Sequence, residues 1–185
     1  NILPRIHPGD RTFGMTYQER SKQVRRYFIQ QLNELGKQTE TPFYFKGHVF
    51  SNFIYKGPVL EWYMKIKVKL ENNYQQFVNL IPEKGNVLDI GCGYGFLAYM
   101  LGYSSSHRKI TGIDYDEEKI AIAQNGFDKK ENITFIHTDA LSYEFQEQDA
   151  IILSDVLHYL SEKDQVTLLE KCMGYLHENG LIVIR

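Results

Sequence analysis

Residues 87–95 read VLDIGCGYG. A short apolar run, interrupted by Asp89, leads into glycines at 91, 93 and 95. A run of this length with flanking glycines reads as a buried strand. A helical stretch over 94–103 follows at once. Glycine between the two lets the chain turn tightly and lets a ligand approach the main chain with no side chain in the way. Two nucleotide motifs fail here. A dinucleotide fingerprint, G-x-G-x-x-G, needs glycine where this chain has Phe96, and no G-K-[ST] follows as a phosphate loop requires. A tight strand-to-helix turn with no ligand is the plainer alternative.

Outward from this stretch, the second half alternates strands and helices. Strands are expected over 87–90, 109–114, 133–137, 150–154 and 181–185, and helices over 94–103, 116–125 and 161–177. Asp116 and Ser161 are placed as N-caps, each followed by acids in the first turn. Gly180 reads as the turn after the last helix. The link DALSYEFQEQD between the third and fourth strands is too short for a long helix. Short apolar strands separated by helices imply an α/β fold, a doubly wound, Rossmann-like and mostly parallel sheet covered on both faces.

The first half has a different texture, rich in Tyr, Phe, Lys and Arg. A helix over 16–36 is expected, opened by Thr16 and Glu19 as a capping box and stopped by Gly36. Residues 37–57 show no clean period and read as irregular or extended. A second helix follows Pro58 and runs over 59–80, until Pro82 and Gly85. The domains are therefore an N-terminal helical and linker segment, 1–80, and the α/β domain, 81–185.

Composition narrows the class. The 185 residues are 43% hydrophobic and 24% charged, with a formal net charge of -2. That describes a globular domain with no global basic field for nucleic acid. Cys92 and Cys172, distant and without ligand spacing, argue against a disulfide framework or metal centre and suit a reducing, cytoplasmic compartment. No apolar run approaches the roughly 18 residues of a membrane span.

Ligands of such sheets bind beyond the carboxyl ends of the strands. Those turns collect acids: Asp89, Asp114 with nearby Asp116, Asp139 and Asp155, with no Lys or Arg in the same turns. A pyrophosphate would be repelled there. Crowded like charges destabilise an empty site, so the cluster points to a cationic ligand with hydroxyls. S-adenosyl-L-methionine has this chemistry: a sulfonium, an ammonium, a ribose diol, an adenine amine and no phosphate.

These residues also carry a resemblance. Residues 86–185 resemble the front part of a class I S-adenosylmethionine-dependent methyltransferase, through VLDIGCGYG, ITGIDYD, HTDA and LSDVLHYL in order. The resemblance implies that Asp89, Gly91, Cys92, Gly93 and Gly95 hold the methionine end. It places Asp114 on the ribose, Tyr115 against the adenine, and Asp139 with Ala140 at the adenine edge. Ser154 and Asp155 fall near the methionine, and His158 faces the transfer site as a tentative base. The family sheet has seven strands, so the five read here imply a domain truncated at its C-terminal side.

RIHPGDRTFGMTYQERSKQVRRYF, nearer the N-terminus, resembles the tail of a lysophospholipid acyltransferase domain. It implies a multidomain bacterial lipid-metabolism protein in which a covalently linked acyltransferase precedes the methyltransferase. Membrane proximity, at the inner face, would then come through other domains. The acceptor expected is a small molecule, a lipid or lipid precursor or an aromatic compound. Tyr55, Trp62 and Tyr63 are candidates to cover the cofactor or line an acceptor pocket, and His137 reads as structural. A nicotinamide-dependent oxidoreductase and a non-catalytic S-adenosylmethionine-binding scaffold are the alternatives.

Overall fold

The computed structural model describes residues 16–39, 42–70 and 74–185. The chain forms two compact units, Asn1–Thr41 and Pro42–Arg185. The first part of the acyltransferase-like stretch, through residue 15, lies outside the described residues.

Helix α1 (Tyr17–Thr39) accounts for what is described of the first unit. The expected capping box is present: the Glu19 amide donates to Thr16 Oγ1 at 3.4 Å and the Thr16 amide to Glu19 Oε2 at 3.0 Å. Gly36 does not end this helix. A single interior glycine costs only about 1 kcal/mol, and Lys37 and Gln38 after it are good helix formers.

The second unit opens with α2 (Pro42–Ser51), where irregular chain was expected. Proline suits its first position, and Val49 and Phe53, four residues apart, are both buried in the core. A short 3-10 turn, Ile54–Lys56, then leads to α3 (Pro58–Leu70) and α4 (Tyr74–Leu80), within the stretch read as one helix over 59–80.

The sheet contains β1 (Gly85–Ile90), β2 (Arg108–Asp114), β3 (Ile133–His137), β4 (Gln148–Leu153) and β5 (Leu176–Ile184). Its order is β3-β2-β1-β4-β5 and every pairing is parallel. Helices α5 (Phe96–Ser104), α6 (Glu117–Gln124) and α7 (Glu162–Gly174) are the connections. The two-residue side-chain alternation of strands builds two cores. Val87, Ile110 and Ile152 pack with α5 and with residues of α2–α4 on one face, while Leu88, Ile113 and Leu153 pack with Leu168 and Cys172 of α7 on the other. The expected doubly wound α/β sheet is thus the observed one.

Both later caps are made: Asp116 accepts from the Lys119 amide and Ser161 from the Asp164 amide. The last helix is shorter than read. It ends at Gly174, and β5 begins at Leu176 opposite Gln148. The pairing then jumps to Leu181 opposite Ala150, so Gly180 lies inside the strand, within a shift of register. His137, read as structural, accordingly bonds the Tyr115 carbonyl at 2.9 Å. No described helix is long and apolar enough to cross a membrane.

Candidate functional site

A cavity of about 510 Å³ opens at the carboxyl ends of the strands. Parallel topology brings the post-strand turns together there, although they are scattered in sequence between Asp89 and Asp155. Asp89, Gly91, Cys92, Gly93, Asp114, Tyr115, Asp139, Ala140, Ser154 and Asp155 all line it. Gly95 and His158 do not.

The glycine turn is anchored to β2, with the Gly91 and Cys92 amides donating to the Ile113 carbonyl at 2.8 and 3.0 Å. Gly91, Gly93 and Gly95 have φ of 71°, 54° and 77°, a region in which side chains are strained. Their reasons for being glycine differ. A Cβ at Gly91 would collide with Val156, and one at Gly95 with the Phe135 ring. At Gly93 the nearest atom would be Lys119 Cδ at 4.0 Å, so only there does the missing side chain leave open space beside the cavity. Gly95 is therefore a packing position. Gly95→Ala is expected to cost about 3 kcal/mol, from left-handed strain plus overpacking, measured as a lower urea midpoint. Gly93→Ala should cost only about 1–2 kcal/mol, since strain alone opposes it.

Asp114 is held rigidly. The Gly93 amide donates to its Oδ2 at 2.8 Å and the Asp116 amide to its Oδ1 at 2.9 Å. Each carboxylate oxygen keeps further acceptor capacity. Asp139 Oδ1 accepts from the Leu141 amide at 2.8 Å, which fixes the third turn. Asp155 adopts φ 57°, the one non-glycine residue with positive φ among those described, and its carboxylate meets Arg185 at 3.4 Å. Such strain persists only where surrounding contacts impose it. Here the Asp155 amide is held by the Arg185 carbonyl at 3.2 Å.

Asp89 is the outlier. It is 2% exposed, and its Oδ2 has no hydrogen-bond partner. Burial, with the nearby Asp114 charge, pushes its pKa up to about 7, against the pull of Lys67. A buried acceptor without a donor is costly unless something cationic or hydrogen-bonding meets it. Cys92 is the opposite case: burial, Asp89 and Asp114 push its thiol up, so it stays protonated at neutral pH.

His158 sits in a 3-10 turn, Leu157–Tyr159, with its ring exposed and 4.0 Å from that of Tyr159. In and around this turn, Val156, Tyr159 and Leu160 line the cavity and the histidine does not. Of the three aromatic candidates, Tyr63 lines the cavity; Tyr55 and Trp62 do not.

Of the opposite wall, sequence reading offered Tyr63 alone. Tyr63 and Lys67 from α3, Tyr74 and Phe77 from α4, Lys119 from α6 and Arg185 at the chain end complete the lining. The acidic edge is thus partly answered by cations. Lys119 pairs with Asp116 at 3.1 Å; burial lowers its pKa, but Asp116, Asp114 and Tyr115 together outweigh that and raise it. Its position in the first turn after the Asp116 cap was the available signal.

Residues 87–180 match the model of a methyltransferase domain. The chain is 36% identical over 59 residues to the putative methyltransferase YqeM of Bacillus subtilis (strain 168), a match covering 32% of this chain and 23% of that protein. By structure it is similar to the PH0226 protein from Pyrococcus horikoshii OT3, with TM-score 0.57, 20% identity, and 64% and 57% of the two chains covered. It is also similar to the N-methyltransferase NodS from Bradyrhizobium japonicum WM9, solved with S-adenosyl-L-homocysteine, with TM-score 0.53, 24% identity, and 62% and 60% covered. The chain spans less than two thirds of each. With the matched region taking in the glycine turn and every strand-end acid of the cavity, the chain belongs to the methyltransferase-domain family.

Proposed function

We propose that this chain binds S-adenosyl-L-methionine in the strand-end cavity and transfers its methyl group to a small-molecule acceptor. The observation that carries the reading is the orphaned, buried Asp89 Oδ2 of a cavity that the open Gly93 backbone also lines. A cationic ammonium or sulfonium is the partner such an atom lacks. When bound, S-adenosyl-L-methionine supplies an already activated, electrophilic methyl group.

The protein's work is then positioning and exclusion of water. Asp89 and the glycine turn would hold the methionine end, with Ser154 and Asp155 beside it. Asp114, held by two backbone amides, would accept from the ribose hydroxyls. Tyr115, Asp139 and Ala140 would form the adenine edge. Because His158 does not line the cavity, an acceptor already nucleophilic at neutral pH fits best, since such a group needs no base. The aromatic wall of Tyr63, Tyr74 and Phe77 favours a lipid-related or aromatic acceptor. The link to an acyltransferase domain rests on the sequence resemblance alone.

Calorimetric titration with S-adenosyl-L-methionine, S-adenosyl-L-homocysteine and NAD tests this reading. Micromolar binding of the first two and none of NAD is expected. Tight NAD binding instead would restore the oxidoreductase alternative, and binding without turnover by the full-length protein would leave the scaffold. In the same titration Asp114→Ala should weaken cofactor binding about 100-fold, the worth of hydrogen bonds to a charged acceptor. An unchanged affinity would refute the ribose assignment.

A further inference from the structure

Between β3 and β4 the chain crosses the sheet without forming a helix. This link still supplies two cavity residues, Asp139 and Ala140. It is organised as one tight turn. Asp139 Oδ1 accepts from the Leu141 amide, and the Asp139 carbonyl accepts from the Tyr143 amide at 2.9 Å and from Ser142 Oγ at 3.1 Å. A lone turn satisfies amides at its start and leaves carbonyls open at its end. In a helical crossover the next turns would take those carbonyls up.

Lys171, in the last turn of α7, takes them up instead. Its Nζ donates to the carbonyls of Ala140 at 3.5 Å, of Leu141 at 2.7 Å and of Tyr143. An ammonium has three donors, and three carbonyls receive them. It also stands 4.5 Å from the centroid of the buried Phe145 ring, a cation–π contact. A lysine near a helix end ordinarily keeps its head in water. This one is half-buried and turned onto main chain, and it does not line the cavity itself.

We propose that Lys171 is the positioning residue of the nucleobase edge. By holding the turn 139–143, it keeps the Asp139 carboxylate where it selects a purine with an exocyclic amine over one with a carbonyl. The proposal rests on the S-adenosyl-L-methionine reading above. Asp139 is exposed and two residues past the end of β3, so strand pairing does not fix it; the turn does, and Lys171 ties the turn to α7. An ionised carboxylate only accepts, and it retains acceptor capacity beyond its bonds to turn amides. An amine meets it as a donor, whereas a carbonyl meets it as a second acceptor. Such discrimination needs the carboxylate held to within about 0.5 Å.

Calorimetry with S-adenosyl-L-homocysteine and S-inosyl-L-homocysteine, in which a carbonyl replaces the amine, tests this. The wild type should prefer the adenosyl compound about 100-fold, the worth of a hydrogen bond to a charged acceptor. In Lys171→Met the preference should fall to about tenfold, through weaker binding of the adenosyl compound, and in Asp139→Ala it should vanish. Adding Lys171→Met to Asp139→Ala should then move the preference by less than about twofold, because Lys171 acts through that carboxylate. Lys171→Gln, which keeps two donors, should fall between wild type and Lys171→Met, and it carries the test if methionine prevents folding. A folded Lys171 variant that keeps the wild-type preference, or that weakens both compounds equally, would overturn the proposal and leave Lys171 a brace of the fold. A wild type that binds the adenosyl compound without preference would remove Asp139 from the base edge and overturn it too. A wild type that binds neither compound would overturn the S-adenosyl-L-methionine reading itself, and this proposal with it.

Discussion

Asp89→Asn is expected to stabilise the ligand-free protein at pH 8 while weakening its hold on S-adenosyl-L-methionine by 10- to 100-fold. The two effects share one cause. Buried Asp89 has an orphaned oxygen and a pKa near 7, against an ordinary 3.8. Between those values the folded protein keeps a proton that the unfolded chain has lost. Stability therefore declines as pH rises from about 4 to 7, and the loss is complete above 7. At about 1.4 kcal/mol per pKa unit the full cost is on the order of 4–5 kcal/mol. Asn carries no charge to bury, but its amide still wants a partner, so a gain of about 1–2 kcal/mol is expected. The affinity loss is the worth of a charge-assisted contact to the cationic end of the cofactor. Wild-type affinity should fall towards tenfold per unit below pH 7, as Asp89 must ionise to bind, and the Asn variant should be flat over that range. Thermal melts and calorimetry across pH 5–8 measure both. An Asn variant that binds like the wild type, with the same pH profile, would remove Asp89 from the site.

The half of the site made by the sheet was legible because parallel topology makes it so. Asp89, Asp114, Asp139 and Asp155 lie at or just beyond strand ends, and a doubly wound sheet gathers such residues at one edge. The other half follows from no local rule. Lys67, Tyr74 and Phe77 reach the cavity through the packing of α3 and α4, elements whose sequence gives helical period but not destination. His158 is absent from the cavity lining for a local reason. The strand-end motif continues into a 3-10 turn, whose successive side chains diverge by about 120°, so its neighbours Tyr159 and Leu160 take the lining and the histidine does not. Residues 37–57 misled because aromatic residues and Gly47 hide a helical face, although Val49 and Phe53 keep the four-residue spacing. Gly180 carries the signal of a helix stop, and only the register between β4 and β5 reveals that it lies within the strand.

Arg108→Met is expected to lower stability by about 3–5 kcal/mol, the cost of breaking a buried charged network by removing one partner. In sequence Arg108 looks like a surface residue ahead of a strand, yet it is 1% exposed. Its Nε donates to the Pro82 carbonyl at 2.8 Å, Nη1 to the Leu101 carbonyl at 3.1 Å and Ser104 Oγ at 2.6 Å, and Nη2 to the Val78 and Ile81 carbonyls at 3.1 and 2.8 Å. These acceptors sit at the C-terminal ends of α4 and α5, where helices leave carbonyls unpaired and carry partial negative charge. One guanidinium thus serves two helix ends and needs no carboxylate in direct contact. Burial lowers its pKa, with Glu83 acting against that. Methionine fills the volume but leaves five bonds unmade. Lysine keeps the charge but has one nitrogen where three are used, so Arg108→Lys should recover less than half the loss. Because α4 also carries Tyr74 and Phe77, the same residue sets the position of the aromatic cavity wall without touching it. Urea unfolding followed by far-UV circular dichroism and by Trp62 fluorescence measures the change. A Met variant within 1 kcal/mol of wild type would mean that water readily replaces the guanidinium, and that α4 is held by its apolar contacts with α5 alone.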